Sequence, residues 1–169
     1  MDAAWLALMD AWRHPVLTAG LGALTWLGSL AVLLPLALAA GARRAADGWR
    51  GFAFLPAAVL GAAGVAQLLK RVVDRERPDL FPSLVAMPAD ASFPSAHAMQ
   101  AAAFVTAWLL WRGAARRPGL VACGAVLVLA VGLSRTYLQV HFLSDVLFGI
   151  VAGVAWATLL HALPVWRRA

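Results

Sequence analysis

Five long apolar runs, separated by short polar segments, dominate the hydrophobic pattern of the chain. They cover residues 16–40, 52–69, 95–111, 119–134 and 142–163. Runs of this length are typical of helices that cross the ~30 Å hydrocarbon core of a bilayer. The pattern therefore predicts an all-α membrane bundle of about five transmembrane helices. We expect a kink at Pro35 in the first run, and a packing groove at Gly149 and Gly153 in the last.

The N-terminal segment before the first run has a different pattern. Residues 1–14 mix tryptophan and leucine with Asp2 and Asp10, and they are followed by Pro15. The segment is too short to span a bilayer, and its mixture of side chains is typical of a helix that lies in the membrane interface. Its acidic residues stand where a cleavable leader would be basic, so no such leader is expected.

Composition supports a membrane protein and argues against other classes. Hydrophobic residues make up 63% of the 169 residues and charged residues only 13%, whereas soluble domains are about half apolar and about a quarter charged. The net charge of +6 comes from arginine clusters between apolar runs, which favours membrane orientation over nucleic-acid binding. A single cysteine, Cys123, excludes a disulfide within the chain.

The distribution of charge across the five runs predicts the orientation. Connections between spans alternate sides, and one side receives eight arginines: Arg43, Arg44, Arg50, Arg112, Arg116, Arg117, Arg167 and Arg168. The other side receives six basic residues together with seven of the eight acidic ones. Because basic residues concentrate in cytoplasmic loops, we expect this second side to face outward. It carries the segment 134–145 and the long polar connection 70–94, which we interpret as an active-site loop.

Three polar clusters lie at the ends of apolar runs on this outer side. They are Lys70 with Arg77 and Pro78, Pro94 to His97, and Ser134 with Arg135, His141 and Asp145. Ionisable groups at membrane depth are costly and are functional by default. Together the clusters offer three cations, two histidines, a hydroxyl and a carboxylate, an inventory that suits the transfer of a phosphoryl group.

Spacing within two of the clusters predicts local geometry. His141 and Asp145 are four residues apart, so if the last run is already helical here, the carboxylate can orient the imidazole from the same face. A histidine held in this way suits a nucleophile or a base. Ser95 is expected to cap the helix that it starts, which would leave the amides of Ala96 and His97 free for an anion.

Each cluster also has a plainer interpretation when it is taken alone. Lys70 and Arg77 could be an interfacial anchor and a loop cation, and His97 could be a histidine that binds a carbonyl at a helix end. His141 with Asp145 could be a structural ion pair or half of a metal site. The joint occurrence of the clusters in this order favours a single site. Four other charged loop residues are interpreted as solvated or as partners of site residues that do not themselves take part in catalysis: Asp74, Arg75, Glu76 and Asp79.

The three clusters together resemble the signature of the type 2 phosphatidic acid phosphatase (PAP2) family. That signature reads Lys, six residues, Arg-Pro; then Pro-Ser-Gly-His; then Ser-Arg, five residues, His, three residues, Asp. All intervals within the clusters occur here, between Lys70 and Asp145. One departure is Ala96, which stands where the family usually has glycine. Its methyl group tolerates a helical but not a left-handed conformation, so it bears on substrate fit or rate rather than on the class of reaction.

The resemblance implies a role for each matching residue. His141 would attack phosphorus to form a phosphohistidine, and Asp145 would orient it. His97 would protonate the leaving oxygen and then help to activate water. The phosphate oxygens would be bound by the side chains of Lys70, Arg77, Arg135 and Ser95 and by the amide of Ala96. The family needs no metal or other cofactor, and the sequence contains no carboxylate cluster of the kind that holds magnesium.

The implied function is hydrolysis of a lipid phosphate monoester or diphosphate at the outer face of a bacterial cytoplasmic membrane. By resemblance, the substrate candidates are undecaprenyl diphosphate, phosphatidylglycerophosphate, phosphatidate and a lipid A phosphate. Nothing in the sequence chooses among these lipids or predicts an oligomeric state. Two alternatives stay open: a lipid phosphotransferase that uses the same phosphohistidine, and a non-catalytic protein that binds or transports lipid phosphates.

Overall fold

The structure is a computed structural model that describes residues 1–166. Its helices are α1 (Asp2–Ala11), α2 (Pro15–Leu24), α3 (Leu30–Ala42), α4 (Trp49–Val73), α5 (Ala96–Trp111), α6 (Pro118–Tyr137) and α7 (Leu143–Ala162). Short 3₁₀ turns cover Thr25–Gly28, Ala45–Asp47 and Pro164–Trp166. No strand occurs among the described residues, and the predicted all-α membrane fold is confirmed. Arg167 and Arg168 of the basic side lie outside the described residues.

Three helices, α4, α6 and α7, are each long and apolar enough to cross a membrane. α4 has 25 residues, and α6 and α7 have 20 residues each. α2 and α3 meet the same criterion only as a pair, which is bent by 49°. α5 has 16 residues and is therefore about 24 Å long. Length and composition thus identify three spans, or four with the bent pair, and α5 packs among them.

The prediction of one helix across residues 16–40, kinked at Pro35, is wrong. The chain passes from α2 through the turn at Thr25–Gly28 and then takes extended backbone angles at Ser29 (φ −78°, ψ 147°). The Ser29 hydroxyl accepts a hydrogen bond from the amide of Val32 at 3.3 Å, so it caps α3. Pro35 lies inside α3. The helix therefore breaks at a serine cap rather than at the proline.

Glycines bring α5 into close contact with its neighbours. A β carbon on Gly28 would lie 2.8 Å from the carbonyl oxygen of His97, and one on Gly149 would lie 2.8 Å from that of Ser95. Gly153 faces the backbone of α5 in the same way, so the predicted packing groove on α7 is confirmed. These contacts hold the start of α5, with its histidine, against the break before α3 and against the first turns of α7.

Two helices extend further toward the polar clusters than predicted. α4 continues to Val73 and ends at Asp74 in the left-handed conformation (φ 44°, ψ 43°), which is a common way to end a helix. α6 continues to Tyr137, beyond the predicted end at residue 134. Lys70 and Arg135 therefore lie in the last turns of helices, where their side chains are held more firmly than they would be in loops.

The N-terminal helix α1 packs against the end of α6 and the connection that follows it. Leu6 is fully buried, and its carbonyl oxygen accepts a hydrogen bond from Gln139 Nε2 at 3.0 Å. Trp5 Nε1 donates to the hydroxyl of Thr136, also at 3.0 Å. α1 is thus fixed beside the short connection that carries His141.

Candidate active site

The predicted site residues converge on one cavity of about 380 Å³ at the ends of four helices. Its lining includes the predicted residues Lys70, Arg77, Ala96, His97, Arg135 and His141. The remaining lining residues are Leu30, Ala63, Gly64, Gln67, Pro88, Asp90 and Gln100. Ser95 and Asp145 are fully buried and are not among the lining residues. The fold therefore brings residues of the three sequence clusters together at one cavity.

His141 lies in the connection before α7, not in the helix. Its Nε2 is 3.3 Å from Arg77 Nη1, at the cavity, and its Nδ1 is 3.6 Å from the Asp145 carboxylate. That second distance exceeds a hydrogen bond, and the hydroxyl of Ser92 contacts both partners, at 3.4 Å from His141 Nδ1 and 2.5 Å from Asp145 Oδ2. A proton on Nδ1 therefore faces Asp145 and Ser92, which leaves the Nε2 lone pair directed to the cavity.

The environment of His141 keeps its imidazole neutral. Complete burial lowers the pKa of His141, and the positive charges of Arg77, Arg135 and Lys70 lower it further, although Asp145 opposes them; the resulting pKa is about 4. At physiological pH the ring is then unprotonated at one nitrogen, which is the form that can act as a nucleophile.

The Asp145 carboxylate is held by more partners than the sequence indicated. It accepts hydrogen bonds from Arg75 Nη1 at 2.6 Å, from the Ser92 hydroxyl at 2.5 Å and from the amide of Phe142 at 3.0 Å. The last of these caps the start of α7. Arg75, interpreted from the sequence as a solvated or supporting loop charge, is therefore an ion-pair partner of Asp145. Ser92 was missed, and nothing in its sequence context distinguishes it from other loop serines.

Lys70 and Arg77 are bridged by a loop carboxylate that the sequence analysis did not assign to the site. Asp90 Oδ1 is 2.6 Å from Arg77 Nη2, and Asp90 Oδ2 is 3.4 Å from Lys70 Nζ. Burial raises the pKa of Asp90, but the hydrogen bond from Arg77 and the charge of Lys70 outweigh that effect and hold the pKa below its usual range. Lys70 also donates to the carbonyl oxygen of Ala91. Both cations are thus paired with an ionised carboxylate at the wall of the cavity.

Two of the predicted phosphate-binding residues have buried polar atoms without a hydrogen-bond partner among the described residues. Arg135 Nη1 donates to the Thr25 hydroxyl at 2.9 Å, which the break before α3 brings into place. Its Nε atom, however, has no hydrogen-bond partner, and neither does the buried hydroxyl of Ser95. Ser95 occupies the predicted N-cap position of α5, but its side chain makes no capping hydrogen bond, so that part of the prediction is wrong.

The first turn of α5 faces the same cavity. Ala96 and His97 line it, and backbone amides in the first turn of a helix have no partner within the helix. Ala96 lies in regular α-helix, a conformation that its methyl group allows. Within residues 1–166, no group of three or more His, Cys, Asp or Glu side chains is arranged to hold a metal ion.

Comparison with known proteins identifies related sequences. The family model of the PAP2 superfamily matches residues 51–169. Phosphatidylglycerophosphatase B of Bacillus subtilis is 34% identical over an alignment of 155 residues, and the match covers 84% of this chain and 72% of the relative. Decaprenylphosphoryl-5-phosphoribose phosphatase of Mycobacterium tuberculosis is 38% identical over 110 residues. That match covers 63% of this chain but only 58% of the relative's length.

Two solved structures share the fold. The crystal structure of a transmembrane PAP2-type phosphatidylglycerolphosphate phosphatase from Bacillus subtilis superposes with a TM-score of 0.83 and 30% identity, over 94% of this chain and 82% of that one. The crystal structure of Aquifex aeolicus LpxE superposes with a TM-score of 0.75 over 96% of this chain and 95% of that one. Its sequence identity is 21%, so this second likeness concerns the fold alone.

Proposed function

This chain belongs to the PAP2 superfamily and is a membrane phosphoric ester hydrolase, and from that premise we propose that it hydrolyses a lipid phosphate through a phosphohistidine on His141. The observation that carries the proposal is the position of the neutral His141 ring. Its Nε2 faces a cavity lined by Lys70, Arg77 and Arg135. Three cations around one nucleophile suit a phosphoryl group, whose oxygens gain negative charge in the transition state.

The reaction proceeds in two displacements at phosphorus. His141 Nε2 forms the bond to phosphorus while the bond to the leaving oxygen breaks, and His97 supplies the proton that this oxygen takes up. Water then gives a proton to His97 and attacks the phosphohistidine, the bond between nitrogen and phosphorus breaks, and inorganic phosphate leaves. Asp145 faces Nδ1 throughout and stabilises the positive charge that the ring acquires. None of these steps requires a metal ion.

The phosphate oxygens are bound by charged and by neutral donors. Lys70, Arg77 and Arg135 supply charge, and the Ser95 hydroxyl and the Ala96 amide supply neutral donors. The unpaired state of Ser95 Oγ and Arg135 Nε supports this assignment, because buried polar atoms almost always have a partner. The donor set suits an anion with several oxygens.

The substrate is a lipid. Besides the cations, the cavity lining includes Leu30, Ala63 and Gly64, which belong to the apolar helices α3 and α4 and suit a hydrocarbon chain rather than a soluble headgroup. Phosphatidylglycerophosphate is the first candidate, because phosphatidylglycerophosphatase B of Bacillus subtilis, whose match covers 84% of this chain, is named for that activity. Undecaprenyl diphosphate, phosphatidate and a lipid A phosphate are the others. The arginine-rich connections at the opposite end of the bundle favour a cytoplasmic location for that end, which supports a site that faces outward from a bacterial cytoplasmic membrane.

The test is phosphate release from a panel of these four lipids in detergent with excess chelator. Wild type is compared with His141→Ala and with His161→Ala, a matched control whose ring packs on Phe54 away from the cavity. We expect turnover by wild type and His161→Ala and loss of turnover in His141→Ala. Quenched reactions of wild type and His161→Ala should contain an acid-labile phosphoprotein, and those of His141→Ala should not.

Two results would contradict the proposal. Turnover that the chelator abolishes would show that the reaction depends on a metal ion. Turnover that survives in His141→Ala would remove His141 as the nucleophile. The preferred lipid of the panel identifies the substrate.

A further inference from the structure

The N-terminal helix α1 is bonded directly to the start of α7. Asp2, in the first turn of α1, accepts a hydrogen bond from the amide of Ser144 at 3.0 Å and another from its hydroxyl at 2.6 Å. The two residues are 142 positions apart in the chain. A carboxylate at this position also complements the positive end of α7. Asp2 is therefore a cap for a helix at the opposite end of the sequence.

Arg75 connects this cap to the proposed active site. Its Nη2 is 3.0 Å from Asp2 Oδ2, and its Nη1 donates to Asp145 Oδ1 at 2.6 Å and to the Ser144 hydroxyl at 2.8 Å. The guanidinium also lies 4.0 Å from the centre of the Phe142 ring. A planar guanidinium with a carboxylate at two of its nitrogens and a ring against its face has little freedom to turn.

The three charges form a chain in which the central cation is shared. Asp145 is completely buried, whereas Arg75 and Asp2 are partly exposed, at 32% and 22%. If Arg75 had Asp145 as its only anion, its full charge would offset the carboxylate that faces His141. The negative charge of Asp2 offsets part of the positive charge of Arg75, so the negative potential of Asp145 at the imidazole is larger.

We propose that Asp2 is a positioning residue for catalysis, which acts through Arg75 and Ser144 to fix the orientation and charge of Asp145 and hence of His141. The inference rests on the proposed function. Asp2 does not line the cavity, so its effect is on the nucleophile rather than on substrate binding. The helix α1 is then a structural part of the active site, anchored there by the hydrogen bond between Gln139 and the Leu6 carbonyl.

The ionisation of Asp2 is consistent with this geometry. Burial raises the pKa of the Asp2 carboxyl, but the two hydrogen bonds from Ser144 and the charge of Arg75 outweigh it, so the pKa lies below the usual value. The carboxylate is therefore charged across the physiological range, as the shared ion pair requires.

The experiment compares Asp2→Asn with Asp10→Asn in the full-length protein. Asp10 is a matched control, because it lies on the same helix and forms an ion pair with Arg13 at 2.5 Å but does not contact Arg75 or Asp145. The values of kcat and KM are measured in detergent on the lipid phosphate that wild type hydrolyses best, and thermal unfolding is recorded for each variant. We expect Asp2→Asn to lower kcat by about ten-fold with KM unchanged, and Asp10→Asn to match wild type.

The double variant Asp2→Asn/Asp145→Asn separates positioning from general destabilisation. If Asp2 acts through Asp145, the Asp2→Asn change should lower kcat little further in a protein that already carries Asp145→Asn. The effects of the two substitutions on kcat are then strongly non-additive. Multiplicative effects, a loss confined to KM, or wild-type kcat in Asp2→Asn would each overturn the inference while the chemistry at His141 stands. An inactive wild type, or activity that does not need His141, overturns the proposed function and this inference with it.

Discussion

The nucleophile and the proposed phosphate donors differ in how completely their polar groups are paired. Around His141, the Asp145 carboxylate is hydrogen bonded to Arg75, Ser92 and the amide of Phe142. Among the proposed phosphate donors, Ser95 Oγ and Arg135 Nε are buried without a hydrogen-bond partner among the described residues. An unpaired buried polar atom costs about 1–3 kcal/mol. We infer that the protein itself preorganises the nucleophile, whereas the substrate completes the anion-binding side.

The difference suits the order of events in catalysis. A nucleophile must be oriented before the substrate arrives, and its orientation is secured by contacts within the protein. Donors for the phosphate are useful only if they are not already satisfied, since a donor that must first break an internal bond gains less on binding. The unpaired donors therefore lower the stability of the free protein but bind the transition state more tightly.

The largest effect is expected from Asp145→Asn. An amide of nearly the same size keeps the packing but removes the charge that orients His141 and stabilises the imidazolium, so kcat should fall by ~10²–10⁴-fold with little change in KM. Steady-state kinetics on the preferred lipid phosphate measures both constants. A variant as fast as wild type would show that Ser92 alone orients the ring and that the carboxylate has only a structural role.

Ser92 and Ser95 provide a matched pair that tests the comparison directly. Both are fully buried, but only the Ser92 hydroxyl has a protein partner. Ser92→Ala should lower thermal stability by about 1–3 kcal/mol because it leaves Asp145 with one bond fewer. Ser95→Ala should leave stability unchanged or higher, and should lower kcat by ~10²-fold because a transition-state donor is lost.

Thermal unfolding and steady-state kinetics of the two serine variants give the readout. If Ser95→Ala is destabilised as much as Ser92→Ala, then the Ser95 hydroxyl has a partner in the free protein, and the proposed difference between the nucleophile and the phosphate donors is wrong.

Asp90→Asn is expected to have a smaller effect, and to strengthen anion binding rather than weaken catalysis. Asp90 is 41% exposed and occupies Arg77 and Lys70 in the absence of substrate, so it competes with a phosphate for the same cations. Removal of its charge should tighten inhibition by inorganic phosphate by ~2–5-fold, the size of a partly exposed ion pair. Asp79→Asn, an exposed change in the same loop, should leave inhibition unchanged. Weaker inhibition in Asp90→Asn would mean that Asp90 holds Arg77 in place for the substrate.

The break before α3 shows where sequence-based prediction ends. Hydropathy continues through Thr25 and Ser29 because the whole segment is apolar on average, so Pro35 was the obvious candidate for an irregularity. The observed break depends on Gly28 approaching the His97 carbonyl and on the capping bond of Ser29. Neither contact leaves a periodic signal, although the break places Thr25 against Arg135.

Some site residues could likewise be identified from the sequence, and others only from tertiary contacts. Lys70, Arg77, His97, Arg135 and His141 could be selected from the sequence because they recur at short, characteristic intervals within three local clusters. Asp2, Arg75, Ser92 and Asp90 could not, because each acquires its importance from a partner on another element. The contact between Asp2 and Ser144 spans 142 positions, and no local pattern encodes it.

The sequence by itself determined the membrane bundle, the identity of the charged and nucleophilic groups, and the class of chemistry. Hydrocarbon thickness sets the length of an apolar run, and a phosphate demands cations and a nucleophile whatever the fold. The tertiary structure decided which of these groups are paired and which remain free, and it brought α1 to the back of the site. Burial, hydrogen-bond partners and the pKa of a histidine depend on what surrounds a side chain, and those surroundings exist only once the helices have packed.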